Sequence, residues 1–168
     1  MMSELFDVTK HVPIIVSPNI INRERCKIYS MSDLHLEFYP NHRDLWKVIS
    51  PFLPNADILI LAGDIGISYG INGYDEYKSL LLLFKQKYEN VILIPGNHEY
   101  YKTRKYDIVS VTDTLRNMCS EINVVFLSNN MVKIKDVYFI GTTLWKKAES
   151  HIRYFMSDFG KVFPDVLS

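Results

Sequence analysis

The sequence predicts an α/β fold built around a parallel sheet. Short, continuous apolar runs alternate with stretches whose apolar residues recur at helical spacing. Continuous runs suit strands covered on both faces, where an alternating pattern would mark a strand with one wet face. The connections between the runs are long enough for a helical crossover, which pairs successive strands in parallel with right-handed topology. Polar residues also collect where the runs stop. In open α/β sheets, ligands gather at those carboxyl ends.

Residues 1–25 match no clear element. Pro13 and Pro18 interrupt them, and Asn19, Asn22 and the charged Arg23-Glu24-Arg25 follow, so they read as an N-terminal extension with one short strand at residues 12–16. Residues 26–168 then form one domain. Its first strand spans 27–31 and ends at Ser32-Asp33. Residues 43–53 carry Leu45, Val48, Ile49, Phe52 and Leu53 on one helical stripe. The run at 58–62 is the second strand, and it stops at Gly63-Asp64. Tyr77, Leu80, Leu81, Phe84 and Tyr88 line the next helix, and the strand at 91–94 is cut by Pro95-Gly96. Ile108, Val111, Thr112, Leu115, Met118 and Cys119 place a third helix, followed by a strand at 124–127. Runs at 131–135 and 137–141 around Asp136 predict an antiparallel hairpin. Ile152, Phe155, Met156 and Phe159 indicate a last short helix.

Composition narrows the function classes. A chain of 168 residues with 48% hydrophobic residues can bury a sizeable core, which excludes disorder. Nineteen basic and nineteen acidic residues cancel, which argues against bulk attraction to duplex DNA or an anionic membrane. Cys26 and Cys119 read as buried free thiols of a reducing compartment. No apolar run reaches the length of a signal core or a membrane span. The expectation is a soluble, cytoplasmic protein with no membrane partner.

Three polar blocks carry the chemistry: Asp33-Leu34-His35, Gly63-Asp64 and Gly96-Asn97-His98-Glu99. They follow the first, second and third strands and are separated by near-equal intervals of about one strand–helix unit. Taken singly, each has a plain structural reading. Asp-x-His is commonly a cap and a surface histidine, and Gly-Asp or Gly-Asn-His is commonly a turn. Taken together, they bring two carboxylates, two imidazoles and an amide oxygen to one sheet edge. That donor mixture suits divalent ions such as Zn, Mn or Fe. Asp64 follows the middle strand of the three and is the natural bridge between two ions. Such a pair, about 3.5–4 Å apart, polarises a phosphoryl group and acidifies a bound water.

These blocks resemble the first three signature blocks of the calcineurin-like metallophosphoesterase superfamily. The flanking text is similar too, in Met31-Ser32-Asp33-Leu34-His35-Leu36-Glu37-Phe38 and Ile94-Pro95-Gly96-Asn97-His98-Glu99-Tyr100-Tyr101. Gly141-Thr142-Thr143-Leu144-Trp145 resembles a later strand end in a bacterial and viral subgroup, and Ser157-Asp158-Phe159 the stretch after it. The resemblance covers residues 26–160. It implies a four-layer α/β/β/α sandwich of two sheets flanked by helices. It implies one metal held by Asp33, His35 and Asp64, and a second held by Asp64 and Asn97. Asn97 and Asp64 would serve catalysis together with His98, which would contact the phosphate and protonate the leaving oxygen. The implied reaction is hydrolysis of phosphate mono- or diesters by a metal-activated water, with two divalent transition ions (Mn, Fe or Zn).

The chain departs from the family pattern at one place. The family continues with a further histidine and a Gly-His-x-His block that complete both metal shells. The five histidines here are His11, His35, His42, His98 and His151, and none stands in that context. His151 is the nearest replacement, while His11 and His42 read as surface residues. The expectations that follow are a weak or empty second metal site and a domain incomplete at its C-terminus. The hairpin would then leave apolar surface uncovered, and a second copy of the chain is one cover for it. The alternative function is a weak or inactive phosphoesterase-like binding module, or a gene fragment. The expected partner is a phosphate-ester substrate, with nucleic acid only in that role. Tyr100, Tyr101, Lys102, Arg104 and Lys105 could steer such a substrate, although a solvated loop is the simpler reading. Trp46 and Trp145 read as core or cleft-wall residues; Glu37 and Glu99 lie near the site, although each could simply be exposed.

Overall fold

A computed structural model describes residues 26–69, 73–101 and 108–145. The expected strand at 12–16, the last helix, His11, His151, Lys102, Arg104 and Lys105 lie outside the described residues. Four strands form a sheet, β1 (Ile28–Met31), β2 (Ile58–Ala62), β3 (Asn90–Ile94) and β4 (Val125–Phe126), in the order β1-β2-β3-β4. Every neighbouring pair is parallel, with Ile28 opposite Ile58, Ile58 opposite Asn90 and Ile92 opposite Val125. Helices α1 (His42–Ile49), α2 (Gly73–Lys87) and α3 (Ile108–Glu121) lie between successive strands. The α/β expectation is met, and the fourth strand is shorter than its apolar run.

The period of two along the strands divides the core. Leu59, Leu61, Val91 and Leu93 turn to one face and pack with Leu45, Leu80, Leu81, Phe84, Leu115 and Met118 of the three helices. Ile58 and Ile92 turn to the opposite face and pack with Leu127 and Phe139. A hairpin covers that second face: β5 (Asn130–Ile134) pairs antiparallel with β6 (Val137–Gly141), Met131 opposite Ile140. Val132, Ile134 and Val137 contribute the rest of its inner side. Met131, Tyr138 and Ile140 on the outer side are exposed. Helices, parallel sheet and hairpin thus supply three of the four expected layers among the described residues.

Local chemistry accounts for the helices. Asn41 caps α1 by accepting the N–H groups of Arg43 at 3.0 Å and Asp44 at 3.1 Å. Asp75 and Glu76 open α2, and Lys85 and Lys87 close it, which suits the helix dipole at both ends. The first helical stripe needs correction. α1 stops at Ile49, and Ser50–Phe52 form a 3-10 turn with Pro51 in its first positions. Proline cannot donate to the α-helical ladder, and the tighter turn rotates its residues off the stripe. Leu45 and Leu53 remain buried, whereas Val48 and Phe52 are exposed. Cys119 is buried, as expected, and burial pushes its thiol up to about 12, which leaves it inert. Cys26 is only half-buried. His42 is no loose surface residue: its backbone N–H and Nδ1 meet Glu76 Oε2 at 2.6 and 2.7 Å and tie α1 to α2. No helix among the described residues is long and apolar enough to cross a membrane.

Candidate metal centre

The loops that leave β1 and β2 run side by side beyond the sheet. Asp33 N–H donates to Gly63 O at 3.1 Å, His35 N–H to Asp64 O at 3.0 Å and Leu36 N–H to Ile65 O at 2.9 Å. Asp33, His35 and Asp64 each take a left-handed backbone, with φ of 57°, 49° and 54°. Asp and His enter this region more readily than most side chains, yet each such residue still costs about 1 kcal/mol or more. The conformation brings the ligand atoms of all three within 4.8 Å of one another.

Two glycines let the third loop close on this group. Gly63 has φ 90°, and a Cβ there would lie 3.0 Å from the Cα of Gly96. A Cβ on Gly96 would overlap Asp64 Oδ1 and lie 2.7 Å from its N. Across this close approach, Asp64 Oδ1 accepts the backbone N–H of His98 at 2.9 Å. Asn97 donates from Nδ2 to Tyr101 Oη at 2.9 Å, which fixes its amide through the nitrogen.

Two carboxylates that could simply have been exposed are not. Glu99 is fully buried. Its Oε2 accepts N–H groups from Asp64 at 3.1 Å and Gly96 at 2.7 Å. Its Oε1 accepts Ile65 N–H at 2.8 Å and Tyr77 Oη–H at 2.9 Å. Burial raises the Glu99 carboxyl above its ordinary range, against the hydrogen bonds from Ile65, Gly96 and Tyr77. Burial, followed by the charge of Glu99, pushes the Tyr77 hydroxyl well up. Glu37 folds back from the 3-10 turn Leu36–Phe38 into the cleft. Its Oε1 lies 2.6 Å from His98 Nδ1 and 3.1 Å from His35 Nδ1. Burial works to raise the Glu37 carboxyl, but its backbone N–H and the two imidazoles hold it below the ordinary value.

The structure therefore brings Asp33, His35 and Asp64 into one group, with His98 beside His35 at a ring separation of 4.3 Å. Asn97 stands next in the chain, just before the 3-10 turn His98–Tyr100. Sequence reasoning placed Glu37, Glu99 and Tyr101 near the site but missed the contacts by which they support it. The ring of Tyr101 lies 4.3 Å from that of His98. The available signal was position: Glu37 stands two residues after His35, and Glu99 and Tyr101 follow His98 directly. Trp145, past the end of β6, is exposed and has its ring 5.9 Å from that of Tyr100.

The family model for calcineurin-like phosphoesterases matches residues 26–160. The chain belongs to that family. Membership in the calcineurin-like phosphoesterases implies divalent metal ions, and Asp33, His35 and Asp64 fit one: two carboxylates and an imidazole whose donor atoms converge. Uncharacterized protein L509 of Acanthamoeba polyphaga mimivirus is 34% identical over 147 residues, 77% of this chain and 49% of that protein. The [acyl-carrier-protein] phosphodiesterase PptH of Mycobacterium tuberculosis is 33% identical over 103 residues, 58% of this chain and 29% of that protein. A crystal structure of PptH, titled phosphopantetheinyl hydrolase, is 28% identical and aligns with a TM-score of 0.48 over 63% of this chain and 37% of that one. The chain spans about half the length, or less, of these curated relatives.

Proposed function

We propose that this phosphoesterase-family chain hydrolyses phosphate mono- or diesters with the help of two divalent transition ions. The observation that carries the reading is the convergence of Asp33, His35 and Asp64 within 4.8 Å, directly beside His98. These three residues would hold one ion, and Asp64 with Asn97 would hold the other. When bound, such ions offset the charge on a phosphoryl group and make a water nucleophilic near neutral pH.

The chain's own residues do the rest. Asp64 accepts the His98 N–H and so keeps the third loop against the first two. Asn97 is steadied by Tyr101 through its amide nitrogen, which leaves the amide oxygen for the ligand role. His98 is the general acid: its ring lies between Tyr101 and His35, and it hands a proton to the departing oxygen. The relative PptH is named for a phosphodiester, which makes diesters the first substrates to try.

The test measures metal and turnover separately. Elemental analysis of the purified chain should find Mn, Fe or Zn, or binding of added Mn2+. Asp64→Ala should lose the metal, and His98→Ala should keep it while losing turnover of a chromogenic phosphodiester. A chain that neither carries nor takes up a transition ion would sink the reading.

A further inference from the structure

Among the described residues, Glu37 is the one carboxylate that touches both histidines of the site. Its Oε1 meets His35 Nδ1 at 3.1 Å and His98 Nδ1 at 2.6 Å, although those rings come from loops far apart in the chain. A carboxylate oxygen has lone pairs for two N–H donors, and an ionised carboxylate can only accept. With Glu37 ionised, both imidazoles present Nδ1–H to it, which leaves Nε2 of each ring for other partners. We propose that Glu37 is a positioning residue that sets the tautomer and ring angle of His35 and His98 together, so that metal binding and leaving-group protonation share one support. The proposal rests on the functional reading above.

Several contacts make the support rigid. The Glu37 side chain is only 12% exposed. The His98 ring is held at Nδ1 by Glu37, along one side by Tyr101 and against the edge of His35. Gly66 makes room for it. A Cβ at Gly66 would lie 2.7 Å from Leu36 Cβ and 3.4 Å from Glu37 Oε2, so a side chain there would press on the turn that carries the carboxylate. Histidines that ligate metals usually give their other N–H to such a partner, which steadies the ring and raises its basicity. His98 acts as the acid in its imidazolium form: Nδ1–H stays on Glu37, and the proton on Nε2 is the one passed to the departing oxygen, after which the ring is left as the neutral Nδ1–H tautomer.

The experiment compares the full chain with Glu37→Gln, Glu37→Ala, His98→Ala and the Glu37→Ala/His98→Ala double variant. Mn2+ titration needs no turnover. Glu37→Ala should weaken Mn2+ binding about 10–100-fold with the ion count per chain unchanged, and Glu37→Gln, which keeps an acceptor oxygen and the side-chain volume, should weaken it less. The 15N spectrum of the side chains should show Nδ1-bound protons on His35 and His98, lost in Glu37→Ala. In turnover, Glu37→Ala should lower kcat for an alkyl phosphodiester about 100-fold but for a nitrophenyl diester far less, since nitrophenolate leaves without a proton. That extra loss should vanish in the His98→Ala background. Unchanged Mn2+ affinity and unchanged histidine spectra in Glu37→Ala would overturn the proposal. So would equal losses for both leaving groups that add to those of His98→Ala. Loss of a whole ion in Glu37→Gln would make Glu37 a ligand instead. If the unmutated chain binds Mn2+ yet turns over no ester, the functional reading fails alone, and the titration and spectra still decide the role of Glu37.

Discussion

Glu99 shows how one residue can hold a site that it does not line. Three backbone N–H groups, from Asp64, Ile65 and Gly96, point at its carboxylate, and Tyr77 supplies a fourth donor. The four donors together occupy both oxygens of a fully buried carboxylate, two on each. An amide cannot replace it. In Glu99→Gln, the NH2 group must face at least one backbone N–H, and neither can turn to accept. The expected cost is about 2–4 kcal/mol in urea unfolding, against about 1 kcal/mol for Tyr77→Phe, whose removal leaves the carboxylate three donors. A Glu99→Gln midpoint equal to that of the unmutated chain would contradict this account. The left-handed backbone at Asp33, His35 and Asp64 is a second residue-scale cost, placed where three ligand atoms must converge.

At the scale of elements, the contact between α1 and α2 is acid-sensitive. The His42 backbone N–H holds the Glu76 carboxyl below its ordinary value of 4.5; partial burial opposes this, and the His42 imidazole adds to the lowering. A carboxyl with a depressed folded-state pKa stabilises the fold above its ordinary value and loses that contribution as pH falls through the folded-state value. Glu76→Gln should therefore lower the urea midpoint of the metal-free chain at pH 7. The difference should shrink toward zero well below pH 4.5. A constant difference across that range would remove Glu76 from the acid response. The elements themselves were largely legible. The strands at 58–62 and 91–94 are apolar runs stopped by Gly63 and Pro95, and the stripe from Tyr77 to Tyr88 is buried throughout. The failures have physical causes. Phe52 left the predicted stripe because Pro51 ends the regular helix, whereas Val48 is exposed within α1 and nothing in the structure explains its departure. The exposed reading of Glu37 and Glu99 failed because a carboxylate is buried only by partners, and His98 for Glu37 and Asp64, Ile65 and Tyr77 for Glu99 are distant in sequence.

For the molecule as a whole, the three strand-end loops form one mechanical unit through which an ion would stabilise the entire sheet. The candidate ligands come from the ends of β1 and β2, and the β3 loop is fastened to Asp64. Binding to the folded state alone adds about 2.7 kcal/mol at one hundred times Kd. In a chain of this size that corresponds to a Tm rise of roughly 5–10 °C. Calorimetry with saturating Mn2+ and with EDTA checks it, and identical Tm values would show that the ion does not couple to folding. The layered core was also foreseen: helices cover one face of the parallel sheet and the hairpin the other, with Met131, Tyr138 and Ile140 left on its outer side. The Glu99 knot has a consequence for the timing of synthesis. A chain emerging from the ribosome carries Asp33, His35 and Asp64 out early, but the amides of Asp64 and Ile65 have no acceptor until residue 99 follows. The three candidate ligands are thus made before the pocket that presents them, and a nascent chain shorter than about one hundred residues is expected not to capture an ion.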